Sequence, residues 1–428
     1  ANKPETLALL CRHAALRSTV RGANGATALQ AAAFSGFAEV ARVLIEAGAD
    51  PAYADDEGWT GLMLAAQNGH ADVCEILVER GANRRAKTRD GYTALMACAK
   101  DGHADVAALL LDGVSTDFVG DATADGYTAL LAACNYGHVE VARLLLDHGA
   151  DVDGCLGDGW SALMAACCHG SREVASLLLE RGADPQRKDG GGYTALLCAA
   201  SQGRAECALL LLERGVEVEA KDRNGDTALG VASLCGHAAV VSLLLDHGAD
   251  ASRADAEDGC TPLYMACHQG HLEVAKLLSS YGASRAATPF GTPEEAANSQ
   301  GHADLAAWLV ASRGWTPLAH LETLTAARAL SLLRSGASLH EGEPTPLQRA
   351  AGGEGEAAAL IRRAAAPWSP ASHSLFPAAA RARAALLVLS LYEIHERYHL
   401  DSAGATNGIA ALDFGHCVLG FAITRETE

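Results

Sequence analysis

"DGYTALLAACNYGHVEVARLLLDHGAD", residues 125–151, decides the fold. Thr128 stands where a helix needs an N-cap, ahead of a short run rich in Ala and Leu. A hydroxyl there takes a backbone N–H that no helical carbonyl can reach. Gly137-His138 then breaks the chain. A second run follows with Val141, Leu144 and Leu145 at helical spacing, and Gly149 is placed to end it in the left-handed conformation. The stretch predicts two helices in a turn-helix-turn-helix unit.

The unit recurs. "DGYTALMACAKDGHADVAALLLDG" begins at Asp90 and "DGWSALMAACCHGSREVASLLLERGAD" at Asp158. The anchoring hydroxyl residue stands at Thr27, Thr60, Thr93, Thr128, Ser161, Thr194, Thr227, Thr261 and Thr292, spaced by 31 to 35 residues. A fixed period of this size means stacked supersecondary units. One unit alone cannot cover its apolar stripe, so neighbours must stack, and each buried Leu then contributes about 1.5–3 kcal/mol. The Asp-Gly pairs between units predict hairpin loops.

The pattern GxTALxxAAxxGHxEVxxLLLxxGAD resembles the ankyrin repeat, with Thr-Ala-Leu-Met or Thr-Ala-Leu-Leu where Thr-Pro-Leu-His is usual; Thr261-Pro262-Leu263 is nearest to that form. The expected fold is therefore all-α, an ankyrin-repeat solenoid with hairpin loops and a C-terminal helical capping module. Residues 1–24 read as an incomplete or degenerate N-terminal cap and residues 25–310 as nine repeats. Residues 311–366 read as two degenerate copies, starting at Trp315 and Pro344, the first keeping a helix pair without a hairpin before it. Residues 367–400 read as the capping module and 401–428 as a poorly ordered tail.

Charge and cysteines narrow the function. The net charge is -19, concentrated in residues 1–310, which hold 23 Lys and Arg against 41 Asp and Glu. An acidic body disfavours nucleic-acid backbones and anionic membranes and favours a protein with a basic face. The thirteen cysteines form no C-x-x-C pair. Cys98, Cys134, Cys167 and Cys267 fall where other copies have small residues such as Ala66 and Ala200, so they read as buried free thiols. Free thiols point to a reducing, intracellular setting, cytoplasmic or nuclear. No segment has the length of a membrane span. The chain shows no initiator Met and no secretory signal pattern, so its N-terminus reads as truncated or processed.

The resemblance implies a protein-binding scaffold that works through hairpin tips and the concave first-helix face, with no catalytic residues and no cofactor. The residue after the turn glycine is aromatic in five consecutive repeats: Trp59, Tyr92, Tyr127, Trp160 and Tyr193. Rows of Tyr and Trp are frequent interface anchors, although rings packed on neighbouring hairpins would give the same pattern. The first-helix ends add Gln67, Asn68, Lys100, Asp101, Asn135, Tyr136 and His169.

Two C-terminal features compete with this reading. "HERYH", His395–His399, fits the H-E-x-x-H zinc motif, a remote hydrolase alternative in which His395 and His399 would hold the metal and Glu396 would act as base. Arg397 inside the motif and the 29 residues left after it argue against a catalytic cleft. "PWSPASHSLFP", from Pro367, carries Trp368, Leu375 and Phe376, which suit a lid over the last repeat. With the helix expected after it, the segment also resembles the second half of a SOCS box, which implies a ubiquitin-ligase adaptor recruiting cullin machinery. The Leu-x-x-x-Cys helix of such a box is not visible.

Overall fold

The computed structural model describes residues 25–113, 116–255, 259–365 and 373–375. These residues are helical, with isolated β-bridges between the helices. They divide into two compact units, one running to Ala249 and the other formed mainly by residues from Asp258 onward.

In the first unit the first helices are Ala28–Phe34, Gly61–Gln67, Ala94–Asp101, Ala129–Tyr136, Ala162–His169, Ala195–Ser201 and Ala228–Cys235. Each of the first six packs on the first helix that follows it here, forming one layer. The second helices, among them Ala38–Glu46, Ala71–Glu79, Ala104–Leu111, Val139–Asp147 and Arg172–Glu180, form the other layer. Every first helix starts on its expected cap: the Thr93 hydroxyl accepts the Met96 N–H at 3.2 Å and that of Ser161 the Met164 N–H at 3.3 Å.

The core lies between the layers. Val141, Leu145, Val174, Leu177 and Leu178 are buried, as are Cys98, Cys134 and Cys167. The cysteines among the described residues are free. Burial pushes the Cys74 thiol up to about 12, so buried positions of this kind favour the neutral form. The step of 35 residues between Thr93 and Thr128 is absorbed by a short extra helix, Thr116–Val119, which buries Phe118.

Repeats are also linked through the Gly-His pairs. The His103 Nε2 donates to the Gln67 carbonyl at 3.1 Å, His138 to that of Lys100 at 2.9 Å and His237 to that of Ser201 at 3.1 Å. A carbonyl only accepts, so Nε2 carries the proton. Each bond satisfies a carbonyl that the preceding helix end leaves open. These histidines thus join one repeat to the next; among the described residues there is no group of three or more His, Cys, Asp and Glu that could hold a metal ion.

The second unit opens with two regular repeats, Pro262–Gln269 with Leu272–Ser280 and Pro293–Ser299 with Ala303–Ala311. The copy beginning at Trp315 departs from expectation. Its first helix is reduced to a single 3-10 turn, Pro317–Ala319, before Thr325 caps the helix Ala326–Arg334. The chain turns here because His320 is buried inside, its ring 5.2 Å from that of Trp315 and 5.9 Å from that of Trp308. The missing hairpin is replaced by a bridge from Gly314 to Glu343, whose N–H donates to the Gly314 carbonyl at 3.0 Å. The last copy is a full pair, Pro346–Gly352 and Glu356–Ala365. Leu375 is buried in a cluster with Leu333, Leu339 and Ile361, and Arg334 Nε donates to the Ser374 carbonyl at 2.9 Å.

No helix among the described residues is long and apolar enough to cross a membrane.

Candidate protein-binding surface

Backbone closure of each hairpin fixes the aromatic row. At the second repeat the Asp55 N–H donates to the Trp59 carbonyl at 2.9 Å, and the Asp55 carboxylate accepts the Trp59 N–H at 2.8 Å. The next two hairpins use a hydroxyl instead: Thr88 accepts the Tyr92 N–H at 3.0 Å and Thr123 the Tyr127 N–H at 2.9 Å. Asp189 returns in that role for Tyr193, at 2.8 Å. This side-chain acceptor, four residues before the ring, closes the loop as an Asx or ST turn does.

Neighbouring hairpins are tied tip to tip. Arg89 N–H donates to the Glu57 carbonyl at 3.1 Å, Gly157 to Asp125 at 2.8 Å and Arg223 to Gly191 at 2.9 Å. Gln30, buried on the first repeat, reaches the Trp59 carbonyl with Nε2 at 2.7 Å. The rings are thus mounted on a backbone that is bonded on both sides.

Against this frame lies a groove of about 600 Å³. Its apolar lining is Trp59, Tyr92, Tyr127 and Tyr136, and its polar lining includes Gln67 and Lys100. The first three rings are half-buried and Tyr136 is half-exposed. The Trp59 and Tyr92 rings have centroids 5.9 Å apart and planes inclined by 47°. Tyr92 anchors its hydroxyl by donating to the Met96 carbonyl at 3.3 Å. Lys100 places Nζ 5.9 Å from the centroid of the Tyr136 ring, which stacks on His138.

The Tyr92 and Tyr127 phenols stay protonated. Burial pushes the Tyr127 hydroxyl up to about 12, helped by Tyr136 and then Asp125. Tyr92 is raised further, again by burial first and then by Tyr127 and Asp101. The neutral Tyr127 hydroxyl can donate to a partner's backbone, and that of Tyr92, whose hydrogen goes to Met96, can accept from it, while the rings cover its side chains.

Glu57, Thr88, Arg89, Asp90 and Thr123 complete the lining. Thr88 and Thr123 were not among the expected site residues; the Thr-x-x-x-Tyr spacing was the available signal. The groove therefore balances two acidic and two basic side chains. Trp160 and Tyr193 continue the row as half-buried rings but do not line the groove. Asn68 spends its amide on its own helix, donating to the Leu64 carbonyl at 2.8 Å. Asp101 and His169 are exposed and Asn135 half-buried, all three outside the groove lining. Trp368, Phe376, His395 and His399 lie outside the described residues, as does most of the segment on which the cullin reading rests.

Comparison with known families agrees with this architecture. The model of a single ankyrin repeat matches residues 24–56. The model described as ankyrin repeats in three copies matches 50–118, 113–189, 154–222 and 186–255, and that of many copies matches 236–278. The helix pair begun at Pro293 lies beyond those matches. No curated protein gives a significant match to the chain.

Proposed function

The chain belongs to the ankyrin repeat family, and on that premise we propose that it captures a partner protein along the groove of Trp59, Tyr92, Tyr127 and Tyr136 and performs no chemistry of its own. Arrays of this family are protein-binding scaffolds. The observation that carries the assignment is the convergence of four half-covered rings from three successive repeats on one groove. Isolated exposed rings are common, but a contiguous aromatic patch edged by polar groups is what interfaces use. Tyr and Trp give large contact area at low entropy cost.

The partner presents an extended or helical segment that can follow successive hairpins, with Trp160 and Tyr193 available farther along the row. The test is a variant carrying Trp59→Ala, Tyr92→Ala and Tyr127→Ala. It should retain the wild-type helical circular dichroism and lose the proteins that the wild type captures in crosslinked pulldown. Retained capture would sink the groove assignment. Lost helicity would show the rings to be structural.

A further inference from the structure

We propose that the groove is built for an arginine side chain: the partner inserts a guanidinium against the Trp59–Tyr92 pair, where the Glu57 and Asp90 carboxylates receive it. This rests on the groove being the binding surface and names the chemistry that the surface selects.

The protein contains a filled version of such a site. In the second unit Arg349 lays its guanidinium carbon 3.5 Å from the centroid of the Trp315 ring. The same group donates an NH2 hydrogen to Glu322 Oε2 at 3.0 Å. One ring face and one carboxylate hold one arginine. Trp59 and Tyr92 offer two half-covered faces, and Glu57 and Asp90 two exposed carboxylates, on one groove.

Among the described residues no cation takes up these rings and acids. Among the described residues the cations that sit over rings do so at Tyr136, Trp308, Tyr281 and Trp315, not at Trp59, Tyr92 or Tyr127. Neither Glu57 nor Asp90 is in an ion pair among the described residues. Arg89 shares the lining but engages neither a ring nor a carboxylate. Tyr136, by contrast, already has Lys100 over it. The vacant aromatic faces are therefore those beside the unpaired acids.

Arginine fits better than lysine. A planar guanidinium stacks on a ring while its edge forks onto a carboxylate, and it is more weakly hydrated than an ammonium. The acidic residues 1–310 would also raise the encounter rate of a basic segment.

The experiment is a random-peptide display selection on the full chain, with Kd of the best binder read by fluorescence polarisation. The binder should carry an arginine. Replacing that arginine by citrulline, equal in shape and uncharged, should weaken binding by about tenfold or more. Glu57→Gln with Asp90→Asn should weaken the arginine peptide by a similar factor and leave the citrulline peptide unchanged. Both side chains are exposed, so this variant keeps the fold, checked by circular dichroism. A binder that is lost on Trp59→Ala with Tyr92→Ala, yet indifferent to citrulline or to the two neutralised acids, overturns the arginine inference and leaves the groove standing. A selection with no binder that depends on Trp59 and Tyr92 overturns the groove assignment itself.

Discussion

His138 donates its Nε2 hydrogen to the Lys100 carbonyl at 2.9 Å, and its ring lies 2.4 Å from where a Cβ on Gly102 would be. Gly102 has φ 81° and closes the first helix of its repeat. Two demands meet at that residue: a left-handed backbone and room for the next repeat's imidazole. The Gly-His pair is thus a joint between repeats. The glycine of one receives the histidine of the next.

Replacing Gly102 with Ala should cost about 2 kcal/mol, from the positive φ and the displaced ring together. His138→Ala should cost about 1 kcal/mol for its hydrogen bond. The double variant should cost less than the sum, because the Ala methyl then has no ring to meet. Urea unfolding of the three variants measures this; strict additivity would show that glycine and histidine act separately.

The hairpin of Trp160 lacks the side-chain acceptor that its neighbours have. Leu156 occupies the position of Asp55 and Asp189, and the Trp160 N–H turns to Asp158 Oδ1 at 3.0 Å instead. Leu156→Asp should therefore raise stability by about 0.5–1 kcal/mol, since a carboxylate there can accept the Asp158 N–H as well as the Trp160 N–H, as Asp189 does for Gly191 and Tyr193. Asp189→Ala should lower it by about 1 kcal/mol, because the Asp189 carboxylate accepts both the Gly191 and the Tyr193 N–H at 2.8 Å. Thermal melts decide, and a lower midpoint for Leu156→Asp would refute the role given to this position.

His320 makes the second unit acid-sensitive. Its pKa is pushed down to about 3, by burial first and then by Arg285 and Arg349. An unfolded imidazole takes its proton near pH 6.5. Between these values the unfolded chain binds more protons, so stability is full above pH 6.5 and falls as the pH drops toward 3. From pH 7 to pH 5 the loss from this group should be about 2 kcal/mol. His320→Gln should remove that part of the slope in unfolding measured across the range. An unchanged slope would mean that His320 does not stay neutral in the folded state.

The repeats were legible because their signals are local. Thr93, Gly102 and Leu145 each do in the structure what residue type and spacing imply, since capping, left-handed φ and helical periodicity depend on near neighbours in the chain. The aromatic row was legible for the same reason, as one hairpin position repeated. Which rings share a groove was not. Trp59, Tyr92 and Tyr127 fulfil the same pattern as Trp160 and Tyr193, yet only the first three line it. Tyr136, on the end of a first helix, joins them through the fold.

The copy at Trp315 shows the limit most clearly. Its Thr-Pro-Leu start promises a helix, and the local signal is as good as at Thr261. Burial of His320 among Trp308, Trp315 and Arg349 overrides it and stops the chain after a single turn. The amino-acid sequence by itself determined the family, the period and the caps, because these are set within one repeat. Only the tertiary structure decided which aromatic faces stay open and where a helix is surrendered. Those outcomes depend on what residues dozens of positions away place against the same space.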